Sequence, residues 1–153
     1  MKLSRPGTSP TSRLWHAPTW LLNHLAGTGR RLLQQNLGDA FERNKFAVLA
    51  VLGDNGPLDQ INVSRRSGQD RGDLVALLDR LADEGLVERV PDPDDRRRNV
   101  VHLTKSGARE LARLDLRVSD AQEKLLAPLD ENDRRELVGI IQTLLEHHED
   151  FRT

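Results

Sequence analysis

The feature that most constrains the fold is a switch of apolar period between Asp59 and Thr104. Leu74, Leu77, Leu78 and Leu81 follow the i, i+3, i+4, i+7 spacing of a single helix face, a stripe that must be buried against other elements. Asp70 stands where an N-cap side chain would accept from the first free amides, and Gly85 where a helix would end. Just upstream, Gln60 to Ser67 lies between a capping Asp59 and Gly68, which predicts a second, shorter helix. Two short helices joined by a tight Gly-containing turn make a helix-turn-helix. The period then falls to two. Leu86-Val87-Glu88-Arg89-Val90 alternates, and Val100-Val101-His102-Leu103 is β-branched and strand-like. Between them, Pro91-Asp92-Pro93-Asp94-Asp95-Arg96-Arg97-Arg98-Asn99 holds too much Pro and Asp to continue a strand and is expected to be a polar hairpin loop. A helix-turn-helix followed at once by a hairpin is a winged helix.

Helical patterns flank this unit. Pro18-Thr19 opens one that keeps its spacing through Leu22, Leu25, Gly29, Leu32, Leu33 and Leu37 to Gly38. Asn44 is the expected N-cap of a second, which carries Phe46, Val48, Leu49 and Leu52 and stops at Gly53-Asp54-Asn55-Gly56-Pro57. Thr104 is the expected cap of a fifth helix running through Leu111, Leu114, Val118 and Leu125 to Pro128. Asp130 opens a sixth, with Asp133 in its first turn, where the helix dipole favours an acid. Leu137, Val138, Ile140, Ile141, Leu144 and Leu145 make that last helix apolar over much of its girth, so it wants a partner. The expected class is α+β, mostly α. A winged helix-turn-helix lobe spans 44–104, with dimerisation helices at 18–38 and 105–148, in one domain of residues 14–153. Residues 1–13, with Pro6, Gly7, Pro10 and several Ser and Thr, cannot bury enough surface to order and are expected to be a flexible arm.

Composition narrows the function classes. With no Cys, a disulfide framework, a zinc ribbon and a thiol nucleophile or sensor are excluded. No apolar run approaches the ~18 residues of a bilayer span, and the N-terminal stretch lacks the apolar core of a secretory signal. The expected location is cytoplasmic. The five His (His16, His24, His102, His147, His148) show no metal-ligand spacing, no Gly-rich phosphate loop follows a strand, and no Ser stands in a G-x-S-x-G setting. No metal, no cofactor and no enzymatic activity are expected. The net charge of -1 hides a polarity. Met1 to Phe46 carries seven basic residues and two acidic ones, Ser106 onward seven basic and eleven acidic, and Arg96-Arg97-Arg98 form one tight cluster. Local fields, not the sum, then decide what the chain attracts.

On these residues the chain resembles the MarR family of bacterial transcription regulators. The resemblance runs from Val63-Ser64-Arg65-Arg66-Ser67-Gly68 through Leu77-Leu78-Asp79-Arg80-Leu81, Gly85-Leu86-Val87-Glu88-Arg89 and Asp92-Pro93-Asp94-Asp95-Arg96-Arg97 to Leu103-Thr104-Lys105-Ser106-Gly107. It extends as a pattern over residues 18–148. It implies a homodimer, joined through the N- and C-terminal helices, that binds a pseudo-palindromic operator in double-stranded DNA as a ligand-responsive repressor. The alternative is a winged helix used for protein interaction or small-ligand binding without an operator. Two departures stand out. The recognition helix opens Arg71-Gly72-Asp73-Leu74-Val75-Ala76, where many relatives carry hydroxyl residues and an Arg, and the chain lacks the Cys of peroxide-sensing relatives.

With the leucine stripe inward, Gly72, Val75, Ala76 and Asp79 face outward, and Gln69, Asp70 and Arg71 form the N-terminal end that enters a major groove in helix-turn-helix proteins. Arg71 either makes a bidentate contact to guanine or meets phosphate, and Val75 or Ala76 can touch a thymine methyl. Gly72 permits close backbone approach. Asp73 either accepts from a cytosine amino group or simply favours the helix dipole. Arg65 and Arg66 suit phosphate or the end of their own helix. By the resemblance, Arg97 at the hairpin tip enters the minor groove between Arg96 and Arg98, with Asp95 bracing it or a neighbouring helix; the alternative is a solvated loop whose acids neutralise its three Arg. Trp15, His16, Trp20, Asn23, His24 and Arg30 are the candidates for a small aromatic or anionic effector, unless Trp15 and Trp20 are dimer core.

Overall fold

A computed structural model describes residues 13–95, 97 and 99–149, Glu149 by its backbone alone. The expected arm therefore lies outside the described residues, except for Arg13, which opens a single 3-10 turn (Arg13–His16). Then follow α1 (Pro18–Leu37), α2 (Ala40–Asn55), α3 (Gln60–Ser67), α4 (Arg71–Asp83), β1 (Val87–Pro91), β2 (Asn99–Leu103), α5 (Lys105–Leu126) and α6 (Glu131–Glu149).

Side-chain caps set most of the helix starts, because each satisfies an amide that has no partner inside the helix. Asp59 accepts from Asn62 N at 2.8 Å, Asp70 from Gly72 N at 2.8 Å and Thr104 from Gly107 N at 2.9 Å. Asp130 accepts from Asn132 N at 2.9 Å and Asp133 N at 3.0 Å. The second helix corrects the expectation. Its cap is Asp39, which accepts from Glu42 N at 3.1 Å, and Asn44 lies inside the helix. Asp39 and Glu42 stand at the N-cap and N3 spacing of a capping box, immediately after Gly38 breaks α1 at φ 105°. The lobe's first helix thus starts ahead of the boundary at 44. At the other end, α5 stops at Leu126, short of Pro128.

The core is one cluster. Val48, Leu49 and Leu52 of α2 meet Val63 of α3, the leucine stripe of α4, Val87 and Val101 of the hairpin, and Leu114 and Val118 of α5. None of Leu74, Leu77, Leu78 and Leu81 is more than 8% exposed. The hairpin is antiparallel, from Val87 opposite Leu103 to Pro91 opposite Asn99. Pro91 and Asn99, expected in the loop, are its last rung. Pro is tolerated there because β1 is an edge strand. The far edge of β2 is also covered: Leu58 exchanges both backbone bonds with Val101, at 3.0 and 2.8 Å.

The join between hairpin and α5 explains the Leu-Thr-x-x-Gly run. Thr104 caps α5 and also donates to the Gly85 carbonyl at 2.6 Å. Gly107 is buried, and a Cβ there would collide with the Leu86 carbonyl oxygen and sit 2.9 Å from Leu103 Cδ2. In contrast, no residue of α6 is buried among those described. No helix among the described residues is long and apolar enough to cross a membrane.

Candidate nucleic-acid interface

With the leucine stripe packed inward, α4 leaves Arg71, Gly72, Asp73, Val75, Ala76 and Asp79 exposed. The turn ahead of it is braced. Ser64 Oγ donates to the Gln69 carbonyl at 2.7 Å, and Gln69 Nε2 donates to Asn44 Oδ1 at 3.4 Å. Gln69 is thus engaged within the lobe, while Arg71 starts the helix on its outer side. Gly72 leaves room beside the cap, where a Cβ would lie 3.3 Å from Asp70 Oδ1. Arg65 and Arg66 are exposed in the last turn of α3. Arg65, Arg66 and Arg71 form no ion pair among the described residues, so their fields are not locally cancelled.

Asp79 is exposed but not electrostatically free, since Arg89 Nη1 of β1 lies 2.6 Å from its carboxylate. That bond ties the hairpin to the recognition helix and offsets an acid on the face turned outward. Nothing local in the sequence names a partner for Arg89 ten residues away. Arg80 pairs with Glu84 at 3.1 Å, as the spacing predicts, and also lies 3.4 Å from the centre of the Phe41 ring of α2. At the hairpin tip, Arg97 has a side chain 91% exposed. Its backbone N and its Nε both donate to Asp95 Oδ1, at 3.1 and 3.2 Å. Asp95 therefore braces Arg97 within the loop. Arg96 and Arg98 lie outside the described residues.

A cavity of about 230 Å³ opens between α1, α2 and α5, walled by Leu33, Phe46, Val118 and Leu125, with Arg43 and Gln122 among its lining. Trp15, His16, Trp20, Asn23, His24 and Arg30 do not line it. They are exposed on the 3-10 turn and the first two-thirds of α1, where the Trp20 and His24 rings lie 4.8 Å apart. The cavity instead takes the α1 residues that reach α5. Arg43 was missed because a lone basic residue on a helix has no pattern. No group of three or more potential metal ligands occurs among the described residues.

Beside the cavity an ionic cluster joins α2 to α5. Lys45, 5% exposed, lies 2.9 Å from Glu42 and 2.8 Å from Glu110. Arg113 meets Glu110 at 2.7 Å. The Arg113 hydrogen bonds, with help from Lys45, draw the Glu110 carboxyl down to about 2 against the upward push of burial. Burial lowers the Lys45 pKa, but Glu110 and Glu42 together outweigh it and hold the ammonium above its usual value.

A helix-turn-helix with uncancelled Arg on its outer face, closed by a hairpin with an Arg at its tip, defines a winged-helix protein of the transcription-regulator class. The family model described as MarR family matches residues 41–98. It is 28% identical over 105 residues to the HTH-type transcriptional repressor NicR of Pseudomonas putida, covering 69% of this chain and 66% of that one. The chain thus spans just under two thirds of this curated relative. The PcaV transcriptional regulator of Streptomyces coelicolor, solved with its natural ligand, superposes with a TM-score of 0.74 at 29% identity, over 89% of this chain and 96% of that one. A cysteine-to-serine mutant of Escherichia coli MarR, complexed with operator DNA, gives a TM-score of 0.69 at 27% identity, over 82% and 91%.

Proposed function

We propose that this chain is a homodimeric regulator that binds a pseudo-palindromic operator and represses transcription until a small aromatic or anionic effector releases it. The observation that carries this reading is the pairing of an outward Arg71-Val75-Ala76 face on α4 with the exposed, Asp95-braced Arg97 of the hairpin. The first is suited to a major groove and the second to the adjacent minor groove. Arg65 and Arg66 supply phosphate contacts at the α3 end.

A second copy is the natural cover for the exposed apolar residues Trp20, Leu21, Leu22 and Leu25 of α1 and Val138, Ile140, Leu144 and Leu145 of α6. The cavity between α1, α2 and α5 is the place for the effector, with apolar walls for a ring and Arg43 for an anionic group. Because it lies where the lobe's α2 meets the long helices, an occupant that prefers one lobe angle shifts the spacing of the two recognition helices. A dimer lying across successive major grooves excludes polymerase, which makes repression the expected outcome.

Sequencing the genomic fragments enriched by the protein, followed by titration of the enriched duplex at several salt concentrations, tests the reading. A palindrome bound with a steep negative dependence of log affinity on log salt is expected. A protein-interaction or ligand-binding module without an operator gives no enriched palindrome and no such dependence.

A further inference from the structure

The helix-turn-helix carries an apolar feature that phosphate contact leaves unused. Between the N-terminal ends of α3 and α4 lies a notch of about 100 Å³, lined by Gln60, Ile61, Arg71, Leu74 and Val75. Ile61 is 49% and Val75 45% exposed, while Leu74 is 1% exposed. Two bare aliphatic side chains thus face outward at the N-terminal ends of the two helices. Their surroundings are matched: Arg65 lies four residues after Ile61 on the same face of α3, and Arg71 four residues before Val75 on the same face of α4. Both Arg are exposed and form no ion pair among the described residues.

We infer that Ile61, with Val75, forms a receptor for the 5-methyl group of thymine beside the position contacted by Arg71, so that α3 as well as α4 specifies the operator. The inference rests on the DNA-binding reading and deepens it. Three observations select this occupant. The notch is continuous with the recognition helix, so a duplex seated on α4 passes over it. Arg71 on its wall is exposed and without an ion pair among the described residues, which leaves it available to a polyanion. Among the base edges of the major groove, the thymine methyl is the apolar group on offer. A methyl is close in size to a water molecule, whose share of liquid volume is roughly 30 Å³, so the notch holds one with room for the ring edge. Arg71 on the notch wall then reaches the neighbouring base pair, and the two contacts read adjacent positions with one polar and one apolar element.

The test uses the full chain and a duplex selected from a random-sequence pool. Each thymine of the selected site is replaced by uracil, which removes only the 5-methyl group, in both half-sites at once, and affinity is read by fluorescence anisotropy at fixed salt. One thymine per half-site is expected to be sensitive, with about fifteenfold weaker binding for two lost methyl contacts at ~0.8 kcal/mol each. With Ile61→Ala that same replacement is expected to cost less than about twofold, and Ile61→Val to give an intermediate value. Ile61 is half exposed, so these variants are expected to fold, and a thermal melt checks that they do. A uracil penalty equal in the wild type and Ile61→Ala overturns the assignment, as does tolerance of uracil at every position. Weakened self-association in Ile61→Ala with an unchanged thymine preference also overturns it and assigns the notch to protein contact. Failure of the DNA-binding reading looks different: the wild-type chain then enriches no duplex at all.

Discussion

Removing the Glu110 carboxylate attacks the joint between α2 and α5. In Glu110→Ala, Lys45 remains 5% exposed with Glu42 as its one carboxylate partner, and Arg113 loses both of its short bonds to Glu110. Breaking a buried ion pair from one side costs about 3–5 kcal/mol. Glu110 is 18% exposed and Glu42 stays in place, which brings the expectation to about 2–3 kcal/mol. The displaced pKa points the same way, since a fall from 4.5 to about 2 means that Arg113 and Lys45 favour the ionised carboxylate in the folded chain.

The unfolded chain takes up the Glu110 proton near 4.5 and the folded chain only near 2, so the unfolded state holds more protons in between. The contribution is complete above pH 4.5 and is lost as the pH falls toward 2. Thermal melts at fixed protomer concentration are expected to show Glu110→Ala lowered by about 4–12 °C at neutral pH. The gap to the wild type should close as the pH falls below 4.5. A loss under about 0.5 kcal/mol at pH 7, the size of an exposed pair, or a gap that does not change on acidification, refutes the reasoning. Lys45→Met in the Glu110→Ala background removes the stranded ammonium and is expected to recover at least half of the loss, because replacing a buried pair with apolar groups is close to neutral.

Gly107→Ala forces a methyl into the Leu86 carbonyl and should cost about 3 kcal/mol, read as a lowered urea midpoint with unchanged slope; an unchanged midpoint would show that α5 can shift. Arg97→Ala should weaken operator binding at least tenfold while analytical ultracentrifugation still shows a dimer, and unchanged affinity at physiological salt would remove the hairpin from the interface. Arg71→Ala separates two roles: relaxed preference at one position of each half-site indicates a base contact, whereas a uniform loss with a salt slope reduced by about 2 for the dimer indicates phosphate. Arg43→Met is expected to abolish release by an anionic aromatic effector without altering operator affinity in its absence, measured by anisotropy with and without the compound.

Several parts of the fold that carries the candidate interface were legible because they are local. Asp59, Asp70 and Thr104 cap helices through bonds that span two or three residues, and the leucine stripe repeats within two turns of α4. The helix-turn-helix, the hairpin and the outward face of α4 follow from those short-range rules. Asn44 failed as a cap for an equally local reason, since Asp39 and Glu42 offered a better start directly after Gly38. The residues that escaped notice act at long range or depend on what lies beside them. Arg89 finds Asp79 across the hairpin, Leu58 completes the edge of β2, and Lys45 meets Glu110 at a separation of 65 residues.

What the sequence determined by itself is the order of elements, the caps of α3 and α4 and the side of α4 that must be buried, because hydrogen bonds within one turn and apolar periodicity need no knowledge of the rest of the chain. The tertiary structure alone decided which charges survive at the surface. It cancelled Asp79 with Arg89, sealed Lys45 between two carboxylates, and left Arg65, Arg66 and Arg71 exposed and without an ion pair among the described residues, on the two helices that carry the exposed Ile61 and Val75. Packing sets the distances between groups remote in sequence, and electrostatic and apolar contacts alike are decided by those distances.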